Sequence, residues 1–174
     1  MLISGLVMLK ISHARERAST LIESTIAAAI SALFLGSLFT LNTSTMTTLK
    51  MGRDTAWASQ VLQQRVEGMR IANWHQVTDA DWLAANLLNT DAAGSGGLKN
   101  MSESLTLTPY GSAATATTQL TRANGVAHVV SRNTSLLNES AMKVLWVVTF
   151  TGSPNDRVST RQTVAILAKG GVAK

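Results

Sequence analysis

"ERASTLIESTIAAAIS", Glu16–Ser31, is the stretch on which the fold turns. A basic segment gives way here to an apolar run, and the run carries one carboxylate, Glu23, close to its start. A charge in the hydrocarbon of a bilayer costs roughly 2.5–3.5 kcal/mol on insertion scales. An ordinary secretory signal gains nothing from that cost, so the acid demands a reason.

The apolar run extends from Ser19 to Leu41, and Glu23 is its only ionised group. About 20 apolar residues cross a bilayer as a helix, so the length suffices. Ser24, Thr25, Ser31, Ser37 and Thr40 keep it only moderately hydrophobic. Lys10, Arg15 and Arg17 precede it, which by the positive-inside rule leaves the N-terminus cytoplasmic and exports the rest. The pattern divides the chain into a leader (1–18), a transmembrane helix (19–41), an amphipathic continuation (42–74) and a globular domain (75–174). In the continuation Ala58, Val61, Leu62, Val66 and Met69 recur at three- and four-residue steps, opposite Gln60, Gln63, Gln64, Glu67 and Arg70. The Ser/Thr-rich stretch Asn42–Thr55 includes Gly52, has low helix propensity and is where a bend or local melting is expected.

Beyond Trp74 the sequence predicts a loop, then a short helix in "TDADWLAANLL" capped by Asp79, then a flexible loop in "NTDAAGSGG" (Asn89–Gly97). Five strand signals follow, beginning at Glu103, Thr117, Val126, Lys143 and Thr160, with "TGSPNDR" turning the last two. An antiparallel meander is expected, since sequence-adjacent strands usually pair. One face of the sheet needs cover, and the stripe from Ala58 to Met69 supplies it. The predicted fold class is therefore α+β, a long N-terminal helix packed on a small antiparallel sheet.

"ASTLIES" (Ala18–Ser24), after the basic leader, resembles the class III signal of type IV pilins and type II secretion pseudopilins. Those precursors carry a small residue, a cut, and a segment like "FTLIE" opening a long apolar helix. Here Ala18 stands where the family usually has Gly, and Ser19 where it usually has Phe; Thr20, Leu21, Ile22 and Glu23 match in order. The mid-helix proline frequent in major pilins is absent. The resemblance implies a pilin-like fold and cleavage by a prepilin peptidase between Ala18 and Ser19, with methylation of the new amine. It implies that Glu23 pairs with the amino group of Ser19 on a neighbouring subunit during filament assembly. It implies residence in a bacterial inner membrane with the globular domain periplasmic, and other pilin or pseudopilin subunits as partners. Ser24, Ala28, Ala32 and Gly36 fall at every fourth position, a spacing that permits close helix packing in membranes.

The rival reading is a single-pass membrane-anchored exported binding domain with an uncleaved signal anchor, in which Glu23 sits in the headgroup region. A conventional secretory signal fits less well, because the amphipathic continuation looks structural. No nucleic-acid partner is predicted: the net charge of +5 comes partly from the leader and is otherwise scattered. There is no cysteine, and the three histidines, His13, His75 and His128, form no ligand spacing. Asp79–Asp81 lacks the oxygen-rich run of a calcium loop, and no nucleophile stands beside a base. No catalytic residue, metal or cofactor is expected, and no enzyme. Trp57, Trp74, Trp82 and Trp146 read as packing residues.

Overall fold

The computed structural model describes residues 3–111, 116–152 and 156–170, with side chains from Thr20 onward. The chain divides into two units, Met1–Met46 and Thr47–Lys174. Helix α1 (Ile3–Ile71) runs through the first and opens the second. The stretch Asn42–Thr55 stays helical throughout, so the expected melting does not occur. The hydroxyls of Thr43 and Thr45 donate to the carbonyls of Phe39 and Leu41, both at 2.9 Å. Threonines bonded one turn back are accommodated inside a helix rather than competing with it.

In the second unit α1 turns Ala58, Val61, Leu62, Arg65 and Met69 inward, whereas Val66 is only half-buried. The segment after Trp74, expected as a loop, begins with helix α2 (Trp74–Thr78). Its start is a reciprocal capping box: Asn73 Oδ1 accepts from the Gln76 N–H, and Gln76 Oε1 accepts from the Asn73 N–H, both at 3.0 Å. Helix α3 (Ala80–Leu83) follows with Asp79 as its N-cap, as the sequence predicts, and runs into a π-helical turn, Ala84–Leu88.

The five strands are β1 (Lys99–Pro109), β2 (Thr118–Ala123), β3 (Val126–Ser131), β4 (Ala141–Gly152) and β5 (Arg157–Ala168). Each matches a sequence signal; part of the turn before β5, residues 153–155, lies outside the described residues. The order is β3-β2-β1-β4-β5, with every pair antiparallel. The expected meander is therefore broken once: β4 pairs with β1, not with β3. Strand β4 presents Val144, Trp146 and Val148 to one face and Leu145 and Val147 to the other. A 12-residue strand apolar on both faces gains most between two partners. The link from β3 is a 3₁₀ turn, Thr134–Asn138, whose Leu136 is buried and whose Asn133 caps it.

The core lies between the sheet and the second-unit part of α1. It joins Ala58, Val61, Leu62 and Met69 to Leu105, Leu107, Leu120, Val144, Trp146 and Val148. Asn89–Gly97, expected as a flexible loop, is instead packed on α1. Ala92 is buried, Gln64 Oε1 accepts from the Ala93 N–H at 2.6 Å, and a Cβ at Gly97 would meet the Trp57 ring at 2.2 Å. The composition of a loop is present, but its glycine serves a close approach rather than freedom.

Candidate functional site

From Thr20 to Met46 every residue of α1 is exposed, including Leu21, Ile22, Ile26, Ile30, Leu33, Phe34, Leu38, Phe39 and Leu41. Leu33 is 75% exposed and Phe39 72%. A surface this apolar exceeds what a soluble monomer leaves in water. The helix is long and apolar enough to cross a membrane. Four of its hydroxyls are turned to its own backbone. Ser24 and Thr25 donate to the Leu21 carbonyl at 3.0 and 2.7 Å, Ser37 to Phe34 at 2.7 Å and Thr40 to Gly36 at 3.0 Å. Satisfying hydroxyls within the segment is what a hydrocarbon environment requires.

Glu23 is exposed at the start of this segment, beside the exposed Leu21, Ile22 and Ile26. Ser24, Ala28, Ala32 and Gly36 are exposed too, and their spacing places them along one helix face. A Cβ added at Gly36 would meet nothing within 4 Å. Ala18 and Ser19, the expected cleavage pair, belong to α1 but lie outside the residues whose side chains are described.

The second unit contains a polar cluster that the sequence reading did not single out. Arg65 grips Glu103 with two parallel bonds, Nε to Oε2 at 2.9 Å and Nη2 to Oε1 at 2.8 Å. Arg122 Nη1 reaches Glu103 Oε1 at 3.1 Å, and Trp146 Nε1 donates to Oε2 at 3.2 Å. The Glu103 side chain is 0% exposed and that of Arg65 2%. Arg65 also donates to the carbonyls of Leu87 and Thr90, and Arg122 to Asp91 at 2.5 Å. Arg122 Nε alone is buried without a partner among the described residues. Two cations and two carboxylates thus balance, tying α1 to β1, β2 and the 87–91 segment. This cluster was legible: Arg65 falls on the apolar stripe between Leu62 and Met69, and Glu103 has the inward parity of Leu105 and Leu107. Its role is to fix how the helix sits on the sheet, since a bidentate buried pair tolerates little displacement.

The acids near the short helices are also engaged. Asp79 Oδ1 accepts from the Asp81 N–H at 2.9 Å. Asp81 takes a fork from Arg132, Nη1 to Oδ2 at 2.6 Å and Nη2 to Oδ1 at 2.5 Å. That hydrogen bonding holds the Asp81 carboxyl below its ordinary range and raises the Arg132 guanidinium. Among the described residues no three His, Asp or Glu side chains gather as a metal site.

The architecture is pilin-like: an apolar N-terminal helix followed by a five-strand antiparallel sheet. Comparison with protein-family models, with curated proteins and with solved structures finds no match.

Proposed function

We propose that this chain is a structural subunit of the minor pilin or pseudopilin kind, which assembles into a type IV pilus or type II secretion filament through its N-terminal helix. The observation that carries this reading is α1 from Thr20 to Met46, wholly exposed, apolar and internally hydrogen-bonded, with Glu23 at its start. On this reading the prepilin peptidase cuts between Ala18 and Ser19, and the new amine is methylated. The helix holds the chain in the inner membrane with its sheet unit in the periplasm. Glu23 then meets the Ser19 amine of a neighbouring subunit. Both charges are costly in hydrocarbon when alone, and pairing them in good geometry offsets that cost and sets axial register.

Glu23→Leu tests the reading. Insertion should persist, because the change removes a charge worth roughly 2.5–3.5 kcal/mol against insertion. Cleavage should persist, because Ala18 and the leader are untouched. Crosslinking to the other filament subunits should fall to background. Intact mass of membrane-extracted protein checks the cut. Normal co-assembly of a cleaved, inserted Glu23→Leu chain, or full retention of residues 1–18 beside an active peptidase, would leave a membrane-anchored exported domain as the reading.

A further inference from the structure

The two edges of the sheet are finished differently. Strand β3 is six residues long, and the side chain of Asn89 closes on it, Oδ1 accepting the Ala127 N–H at 2.8 Å. Strand β5 is 12 residues long, and among the described residues no strand pairs with its outer side. It contains no proline and no buried residue, although apolar side chains occupy both its faces. Val158, Val164 and Ile166 lie exposed on the face away from α1. Ala165 and Leu167 lie half-buried on the α1 face. Long, regular, apolar edges are normally blunted because they template pairing with another chain.

Charge selects what pairs here. Arg157 and Arg161 alternate onto the α1 face of β5, Lys169 continues that row, and all three are exposed. Strand β5 contains no acid. A second copy laid antiparallel over residues 157–167 would set Arg157 opposite Leu167 and Arg161 opposite Thr163, so it offers neither arginine an acid across the strand. At the C-terminal end of β5 a cavity of about 600 Å³ opens, lined by Met69, Trp74 and Val77 on one side and Ile166 and Leu167 on the other. It has room for a large apolar side chain.

We propose that β5 receives an extended segment of a different protein by strand addition. That segment is antiparallel, carries acids opposite Arg157 and Arg161 and apolar residues opposite Val158, Val164 and Ile166, and begins with a bulky apolar residue that enters the cavity. Main-chain bonds to the β5 edge supply affinity, and the alternate side chains and the anchor supply selectivity. The site belongs to the sheet unit and stands whether or not the chain is a filament subunit.

The probe is the peptide Phe-Val-Thr-Val-Thr-Thr-Glu-Thr-Thr-Val-Glu, written in the order that faces Leu167 back to Arg157, with a fluorophore at its C-terminus. It is titrated with the full chain in detergent micelles and read by anisotropy. Saturable binding is expected, weakened about tenfold when both Glu are replaced by Lys, since two exposed cross-strand charge pairs are worth roughly that. Replacing Phe by Ala should weaken it as well. The double variant Arg157→Glu, Arg161→Glu changes only exposed side chains and should reverse the order of the two peptides. Amide exchange along β5 should slow on binding. Equal binding of the Glu and Lys peptides, no saturation, or a dimer formed through β5 that excludes the peptide would each overturn the proposal.

Discussion

Glu103 and Glu23 are both acids set among apolar side chains, and the two units of this chain handle them in opposite ways. Glu103 is enclosed within the sheet unit and meets Arg65, Arg122 and Trp146 there. Glu23 lies exposed on α1, in the stretch from Thr20 to Met46 where every large apolar residue is exposed as well. From Thr20 to Met46 the first unit is inside-out relative to the second: it exposes leucine and phenylalanine and turns hydroxyls such as those of Thr25 and Thr40 to its own backbone. The second buries leucine and tryptophan and encloses Glu103 against Arg65 and Arg122, with the exposed Asp91 completing the charge balance. Each arrangement minimises unsatisfied polar groups, but for a different solvent. An acid in low dielectric needs a partner whichever unit it occupies. Glu103 finds one within the chain, and on the proposed reading Glu23 finds one on a neighbour.

Substituting each acid in turn puts that comparison at risk. Glu103→Leu leaves Arg65 enclosed without its carboxylate, a situation that typically costs about 3–5 kcal/mol. Glu23→Leu changes a residue of the first unit and should leave the unfolding transition of the sheet unit unchanged. Chemical denaturation of the full chain in detergent, followed by Trp fluorescence, measures both. Replacing Arg65, Glu103 and Arg122 together by apolar residues of similar volume should cost far less than Glu103→Leu alone, because no buried charge is then stranded. If Glu103→Leu proves nearly neutral, the cluster does not hold the helix to the sheet.

Local pattern made much of this fold legible. The alternation in "ESLTLT" and the β-branched run "KVLWVVTF" predict strands because period two is written in the side chains themselves. The helix stripe predicts cover for the sheet in the same way. Strand order was not legible, because β4 and β3 both look like acceptable neighbours until burial on two faces is weighed. Helix α2 was missed although its Asn73 and Gln76 spell a capping box, since the box stands just past the end of a much longer helix. Glu103 and Arg65 carried a positional signal that reading by residue type passes over. The Glu23 role rests on resemblance and physical argument, because a partner on another chain leaves no mark on one sequence.

Gly97 offers a smaller test, in a segment whose composition reads as loose and whose contacts are tight. A methyl group there would overlap the Trp57 ring, at 2.2 Å from two of its carbons. Gly97→Ala should destabilise the sheet unit by about 1–3 kcal/mol, the usual range for overpacking. Trp57→Leu in the same chain relieves the overlap, so the double variant should lose less than the two singles added. Additive losses in a double-mutant cycle would mean that residues 89–97 adjust freely and belong with loops.

The smallest effect is expected at Asp81, where the comparison is between a charge pair inside the sheet unit and one on its surface. The Arg132 fork lowers the Asp81 carboxyl below 3.8, its ordinary value. A carboxylate depressed in the folded state contributes stability above its unfolded value, and that contribution disappears as pH falls through the folded one. The difference in stability between the native chain and Asp81→Asn should therefore be present near neutral pH and vanish well below pH 3.8. The pair is exposed, so solvent screening keeps the difference slight, and added salt should shrink it further. Carboxyl NMR titration reads the direction of the shift at Asp81 itself, and melts of both chains at the two pH values read its consequence. The Arg65–Glu103 pair, shut away from ions, should show little response to the same salt; an equal response would mean that water reaches Glu103, and the contrast between enclosed and exposed charge would fail.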